Sequence, residues 1–142
     1  MTLDKLLTAA RQCLGTPFRH QGRLVGVGLD CAGVAVHVAT QLGHEVIDLP
    51  AYGRTPAHGQ LEALLEAQPC LRLIDDLPCG AKARPGDLLL MRFASDPQHL
   101  AILTDQQTIV HAYESVGACC EHRLSPTWAS RIVRVYRFRE MT

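Results

Sequence analysis

The stretch Gly28-Leu29-Asp30-Cys31-Ala32-Gly33 marks the start of a buried helix, against which the rest of the chain is expected to pack. Asp30 stands where an N-cap residue is expected, and the mostly apolar run 32–42 is closed by Gly43. Residues 3–14 carry leucine and alanine at helical spacing, and residues 60–67 form a short amphipathic helix. The first half of the chain is therefore predicted to be helical.

The second half of the chain changes to strand-like patterning. Short β-prone runs separated by turn residues cover 71–74, 87–93, 99–104, 108–113 and 132–138. Residues 22–28 and 43–59 are rich in turn formers and are predicted to be loops without regular structure. Together these patterns predict an α+β fold, with the N-terminal helices packed on a C-terminal antiparallel sheet or half-barrel.

Length and charge narrow the class of protein. A chain of 142 residues fits one domain, 1–142. The 14 basic and 14 acidic side chains give a formal net charge of zero, which argues against nucleic acid as a partner because such binding needs an excess of Lys and Arg. No run of apolar residues is long enough to span a membrane and the start lacks a signal-peptide pattern, so we expect a cytoplasmic product without membrane insertion.

The six cysteines are expected to remain thiols, because neither a C-x-x-C pair nor zinc-finger spacing is present. Cys31 is set apart by its position in the first turn of the helix, where unpaired N–H groups and the helix dipole favour an anion. A helix N-terminus with a nearby imidazolium lowers a thiol pKa, so Cys31 is predicted to be a nucleophilic thiolate at neutral pH. A small buried cysteine that begins a core helix fits the same residues equally well.

His99 and His111 lie on consecutive predicted strands and are candidates for a base. An odd-length loop such as 104–106 would put both imidazoles on one face with His99 directly opposite His111, close enough for a hydrogen bond. A two-residue turn would put them on opposite faces. A metal held by His99, His111 and His122 has no supporting carboxylate pattern, so neither a metal nor another cofactor is predicted.

Five segments, which are 15–22, 28–33, 84–89, 98–102 and 110–112, resemble the ordered motifs of the NlpC family of cell-wall cysteine peptidases. The chain is most similar to the short members that are encoded by prophages or associated with phage tails. The resemblance implies a papain-like fold in which Cys31 is the nucleophile, His99 the general base and acid, and His111 the polar third member that orients His99.

The resemblance also implies a function. The expected reaction is hydrolysis of peptidoglycan stem peptides at or near the bond between D-glutamate and the diamino acid. The expected partners are the stem peptide and phage tail proteins, and the protein would be made in the bacterial cytoplasm and incorporated into a phage or phage-like particle. The alternatives are a tail component with little or no activity, and a thiol-dependent amidase or acyltransferase acting on another substrate.

Two residues depart from the family pattern near the predicted nucleophile. Phe18 stands where family members often have Tyr, and Ala32 where they often have Ser, so two hydroxyl groups are missing. Asp30 is retained, as a helix cap first and as a partner for a substrate ammonium group second. Phe18, Ala32 and Asp30 are accordingly the predicted substrate-binding residues.

Overall fold

The computed structural model describes residues 2–47, 59–94 and 96–140. The helices are α1 (Thr2–Gln12), α2 (Cys31–Gln41), α3 (Gln60–Glu66) and α4 (Pro126–Ala129), and a short 3-10 turn covers Pro78–Gly80. The strands are β1 (Arg23–Leu24), β2 (Gly28–Leu29), β3 (Leu71–Asp75), β4 (Leu88–Phe93), β5 (Asp96–Leu103), β6 (Thr108–Tyr113), β7 (Ala118–Arg123) and β8 (Ile132–Phe138).

The strands β3 to β8 form one antiparallel sheet in the order β3-β8-β4-β5-β6-β7. Helices α1, α2 and α3 share a buried core with alternate residues of the sheet, among them Leu90 and Leu100. The opposite face of the sheet carries Met91 and Ala101 and is covered in part by Trp128 of α4. The predicted α+β class, with N-terminal helices packed on a C-terminal antiparallel sheet, is confirmed.

Four of the helices and strands were absent from the sequence prediction, namely the strands β1, β2 and β7 and the short helix α4. Residues 22–28 were expected to be an irregular loop, but β1 and β2 form a two-stranded hairpin in which Arg23 pairs with Leu29. Strand β7 was not predicted at all, and it closes the far edge of the sheet next to β6. Of the predicted loop 43–59, residues 48–58 lie outside the described residues.

Two glycines, Gly22 and Gly33, let the β1–β2 hairpin lie directly against α2. A Cβ on Gly33, in the first turn of the helix, would overlap the backbone carbonyl oxygen of Gly22. A Cβ on Gly22 would in turn lie only 2.5 Å from the carbonyl carbon of Gly28. The hairpin and the start of α2 can therefore approach each other only because these positions carry no side chain.

A buried ion pair fixes the closing strand β8 to the start of β4. Arg137 donates from Nε and Nη2 to the two carboxylate oxygens of Asp87, at 2.7 and 2.8 Å. Asp87 also accepts from the backbone N–H of Arg84 at 2.9 Å. The segment 84–89, one of the five that carry the family resemblance, thus has a structural role in closing the sheet.

Candidate active site

Asp30 organises the N-terminus of α2, as its predicted capping role requires. Its side chain accepts from the N–H of Gly33 at 2.8 Å, the geometry of a helix cap. It also accepts from the N–H of Gln21 and from Nη1 of Arg23, both at 2.9 Å. The carboxylate therefore joins the β1–β2 hairpin to the helix and fixes the position of Cys31, the next residue.

Cys31 begins α2 with only 8% of its surface exposed. The backbone N–H groups of Ala32 and Leu100 lie within hydrogen-bonding reach of its sulfur. Burial, followed by the negative charge of Asp30, nevertheless raises the pKa of the thiol to about 12. The prediction of a thiolate at neutral pH is therefore wrong for the resting structure, because burial and the capping carboxylate outweigh the N–H donors.

The other cysteines divide by burial. Cys13, Cys70 and Cys119 are buried, Cys120 is half-buried and Cys79 is exposed. Cys13 donates from Sγ to the carbonyl oxygen of Ala9 at 3.7 Å, and Cys13 and Cys119 both belong to the core on the helix side of the sheet. Cys120 follows in the same strand and so lies on the opposite face of the sheet.

His99 and His111 meet as predicted, through a different register. Nε2 of His99 lies 2.6 Å from Nδ1 of His111, so the two imidazoles share a face and a hydrogen bond. The ladder pairs Ile102 with Val110, which puts Ala101 rather than His99 opposite His111. The predicted direct pairing is wrong by two residues, and the bond joins diagonal neighbours.

His122 extends this pair to a row of three imidazoles, whereas the sequence indicated it only as one ligand of a metal site without supporting carboxylates. Nε2 of His111 lies 2.8 Å from Nε2 of His122, and Nδ1 of His122 lies 2.9 Å from the carbonyl oxygen of Arg123. Had β7 been recognised as a strand joined to β6 by the turn 114–117, its register would have placed His122 on the face of His111.

The Arg123 carbonyl fixes the proton positions along the row, because a carbonyl oxygen can only accept. Nδ1 of His122 must then carry the proton, which leaves Nε2 of a neutral His122 as an acceptor. His111 consequently donates from Nε2 and accepts at Nδ1, and His99 donates from Nε2. The remaining nitrogen of His99, Nδ1, is left unprotonated, as a general base requires.

Burial keeps the first two imidazoles neutral. His99 is 5% exposed and His111 is fully buried, beside the rings of Phe93, Tyr113 and Trp128. Burial, and then repulsion from neighbouring cationic groups, lowers the pKa of His99 well below its usual 6.5. Burial, and then repulsion from His122 when it is protonated, lowers the pKa of His111 to about 3. Both side chains are therefore neutral at pH 7, and each is a weaker base than a free imidazole.

Cys31 and His99 approach the same part of the sheet without a hydrogen bond between them. The recorded pairs of the β5–β6 ladder are Ile102 with Val110 and Leu103 with Ile109, at the end remote from His99. Cys31 lies beside the other end of β5, since the N–H of Leu100, the residue after His99, reaches its sulfur. Within the described part of the chain no hydrogen bond joins Cys31 Sγ to His99, so the structure brings together the two histidines but not the complete triad.

The other predicted site residues surround the start of α2. Phe18 is half-buried, forms a β-bridge with Leu29 and packs against the helix-side core. Ala32 is half-buried in the first turn of α2. No hydroxyl group stands at either position beside Cys31.

Comparison with models of protein families identifies the family of this chain. The model of the NlpC/P60 family matches residues 15–137, which include the helix start and all three histidines. The chain belongs to the NlpC/P60 family. It is thus a member of a peptidoglycan hydrolase family whose enzymes are cysteine peptidases, and its fold is the papain-like α+β fold of that family.

Solved structures of NlpC/P60 proteins share the fold at low sequence identity. A lipoprotein-like NLP/P60 protein from Staphylococcus aureus superposes with a TM-score of 0.66 at 19% identity, covering 96% of this chain and 41% of that one. The peptidoglycan hydrolase RipB from Mycobacterium tuberculosis gives 0.64 at 18%, covering 96% and 64%. RipD from Mycobacterium tuberculosis, described as a non-catalytic NlpC/p60 domain protein adapted to peptidoglycan binding, gives 0.63 at 15%, covering 96% and 97%.

The similarity to these solved structures is limited in sequence identity and, for the Staphylococcus aureus protein, in length. The chain spans about two-fifths of the Staphylococcus aureus protein, and at these identities the likeness is one of fold. A search of curated protein sequences finds no match. None of the helices in the described ranges has the length and apolar character needed to cross a membrane.

Proposed function

We propose that this NlpC/P60 chain is a single domain, 1–142, that hydrolyses peptidoglycan stem peptides with Cys31 as nucleophile, His99 as base and acid, and His111 as the orienting residue. The observation that carries the proposal is the hydrogen-bonded order of the histidine row. It leaves an unprotonated Nδ1 on His99, one residue along β5 from the Leu100 N–H that reaches the Cys31 sulfur.

The first half of the reaction starts from a neutral pair. The pKa of Cys31 is raised and that of His99 is lowered, so thiol and imidazole are both uncharged at rest. As sulfur attacks the peptide carbonyl carbon, its proton passes to Nδ1 of His99, and the carbonyl oxygen becomes an oxyanion. Backbone N–H groups of the first turn of α2 would stabilise this oxyanion.

The second half of the reaction returns the enzyme to its starting state. His99 gives its new proton to the leaving amine, the carbon–nitrogen bond breaks, and an acyl thioester remains on Cys31. Water then attacks the thioester with His99 again acting as base, which releases the carboxylate product and restores the thiol. His111 holds the ring of His99 in one tautomer throughout.

The scissile bond and the setting are further parts of the proposal. The bond is at or near the D-glutamyl–diamino acid linkage, and the half-buried Phe18 and Ala32 shape the adjacent wall without the hydroxyl groups found there in many family members. Asp30 already holds the hairpin and the cap, so a substrate ammonium group would share its carboxylate. Attachment to a phage tail or phage-like particle would bring the domain to the wall, since its zero net charge gives no bulk attraction to a polyanion.

Digestion of purified muropeptides tests the proposal. Wild type and a Cys79→Ser control should release the same fragments, because Cys79 is exposed and lies in the 3-10 turn 78–80, outside the strands that carry the histidines. Cys31→Ala and His99→Ala should release none. Mass spectrometry of the fragments identifies the bond, and products from a non-peptidoglycan amide instead would favour a thiol-dependent amidase or acyltransferase. Equal products from wild type and Cys31→Ala would exclude catalysis by these residues.

A second candidate is a wall-binding or structural domain with little activity. Two observations favour it: the Cys31 thiol is buried with a raised pKa, and it has no hydrogen bond to His99 in the described residues. RipD, a non-catalytic protein, has the same fold. This candidate predicts equal sedimentation of wild type and Cys31→Ala with intact peptidoglycan and no fragments from either.

A further inference from the structure

A second group of reactive side chains lies at the far end of the histidine row. His111, Cys120 and His122 each offer one ligand atom, and these atoms lie within 4.8 Å of one another. The β6–β7 ladder produces the group, because Cys120 is directly opposite His111 and His122 is the next residue on the same face. Cys120 has no part in the proposed reaction.

We propose that His111, Cys120 and His122 bind a single zinc-like transition-metal ion, and that the bound ion inhibits the peptidase. The binding stands by itself, whereas the inhibition rests on the proposed function. One thiolate and two imidazoles are ligands typical of zinc, and a water molecule would complete a four-coordinate shell.

The hydrogen bonds of both histidines suit them to be metal ligands. Nδ1 of His122 donates to the Arg123 carbonyl, so its Nε2 faces the cluster as the coordinating atom. His111 likewise has His99 behind its Nδ1 and turns Nε2 toward His122. A backbone carbonyl or a polar side chain behind the ring is the usual support of a metal-binding histidine.

The ligand atoms of His111, Cys120 and His122 need to move only slightly to hold a zinc ion. The two Nε2 atoms lie 2.8 Å apart, whereas two nitrogens on a tetrahedral zinc ion are separated by about 3.3 Å. Small ring rotations that move the two nitrogens apart by about half an ångström, together with a turn of the Cys120 side chain, would admit the ion. Cys120 and His122 are half-buried on the edge strand β7, which gives the ion a route from solvent, and the Trp128 ring covers the site 5.3 Å from His122.

Metal binding would reverse the proton order of the row. Coordination needs the Nε2 lone pair of His111, so the proton of a neutral His111 must move to Nδ1, from which it donates to Nε2 of His99. His99 then carries its own proton on Nδ1, and each imidazole still holds one proton. The Cys120 thiol loses its proton to solvent as the metal–sulfur bond forms. His99 now presents an N–H where the reaction needs a lone pair, and this is the cause of the inhibition.

Cobalt spectroscopy tests the binding without any reference to activity. Co²⁺ is added to Cys31→Ala protein, which removes the proposed nucleophile as a competing ligand. We expect one equivalent to give the intense visible absorption of four-coordinate Co²⁺ and a thiolate-to-cobalt charge-transfer band. A further Cys120→Ser change should remove the charge-transfer band and weaken binding at least tenfold, while a further Cys79→Ser change should leave both as they were. A band that survives Cys120→Ser, or no band at all, overturns the site.

Inhibition is tested on the active protein. Zn²⁺ should inhibit muropeptide cleavage by wild type and by Cys79→Ser with full recovery in EDTA, and Cys120→Ser should keep the basal rate but need at least tenfold more Zn²⁺. Equal sensitivity of Cys120→Ser and wild type overturns the inhibitory role. If no variant cleaves muropeptides, the proposed function fails, and the cobalt experiment still decides whether the site exists.

Discussion

Replacing His122 by leucine should lower kcat/KM for muropeptide cleavage while leaving KM nearly unchanged. His122 touches neither the proposed nucleophile nor its base, and it acts by accepting the Nε2–H of the fully buried His111 at 2.8 Å. Without that acceptor, the Nε2–H of His111 would be buried and unpaired. His111 therefore takes the tautomer that carries its proton on Nδ1. His99 must then accept at Nε2, so its own proton moves to Nδ1 and the Nδ1 lone pair is lost.

The magnitude follows from the cost of the unpaired group. A buried donor without a partner costs about 1–3 kcal/mol, which corresponds to a population shift of about 5- to 150-fold between the two proton orders. A fall in kcat/KM of about tenfold to a hundredfold is therefore expected for His122→Leu. His122→Gln should recover most of the activity, because the amide oxygen of Gln can accept the same N–H.

Two measurements check this reasoning. Kinetics of the Leu and Gln variants give the split between kcat and KM, and ¹⁵N-edited NMR of the imidazoles reports which nitrogen of each ring carries the proton. In wild type, His99 and His111 should both be protonated at Nε2. Wild-type spectra with His99 protonated at Nδ1, or a Leu variant within twofold of wild type, would refute the proposed proton order.

Three other predictions concern stability, pH and reactivity. Arg137→Met should lower the free energy of unfolding by about 3–5 kcal/mol, because it leaves the carboxylate of Asp87 buried and unpaired; a urea unfolding curve that coincides with that of wild type would contradict this. His111 alone should make the stability fall as the pH drops from about 6.5 towards 3, by about 1.4 kcal/mol per unit, because it has a folded pKa of about 3 and the unfolded chain takes up the proton first; His99, whose pKa is also lowered, adds to this fall. The stabilising effect is fully present above the unfolded pKa and is lost below it, so thermal melts of His111→Gln should show a flatter pH dependence than wild type. Finally, iodoacetamide at pH 8 should alkylate Cys31 more slowly than the exposed Cys79, since burial and the nearby carboxylate raise the pKa of Cys31; peptide mapping that finds Cys31 labelled first would count against the raised pKa.

The parts of the fold that the sequence predicted well depend on short-range chemistry. The start of α2 was readable because a cap and the N–H group that it accepts lie three residues apart, in Asp30 and Gly33. The shared face of the two histidines followed from the parity of the loop. The register of the two strands did not follow from that parity. Thr104 donates to the carbonyl of Thr108 around a turn in which Asp105 accepts from the N–H of Gln107, and this places the centre of the loop one residue later than predicted.

The parts that were missed depend on tertiary contacts. Strand β7 lacks apolar alternation because Glu121 faces the helix side, where it binds Arg11 and the hydroxyl of Thr104 at the sheet edge. Without β7 there was no reason to place His122 near His111. The pKa of Cys31 was predicted in the wrong direction because a local argument counts the helix dipole but not the burial that the whole fold imposes.

The carbonyl group that orders the histidine row belongs to the main chain, and this bears on how the sequence can vary. Every amino acid supplies a carbonyl, so the exposed side chain of Arg123 can change freely without altering which imidazole nitrogen carries a proton. Position 122 has no such freedom, since its ring must both donate to that carbonyl and accept from His111. Two adjacent residues on one edge strand thus tolerate mutation very differently, and a saturation library across β7 should record broad tolerance at 123 beside tolerance at 122 of only those residues, such as Gln, that can accept the His111 N–H.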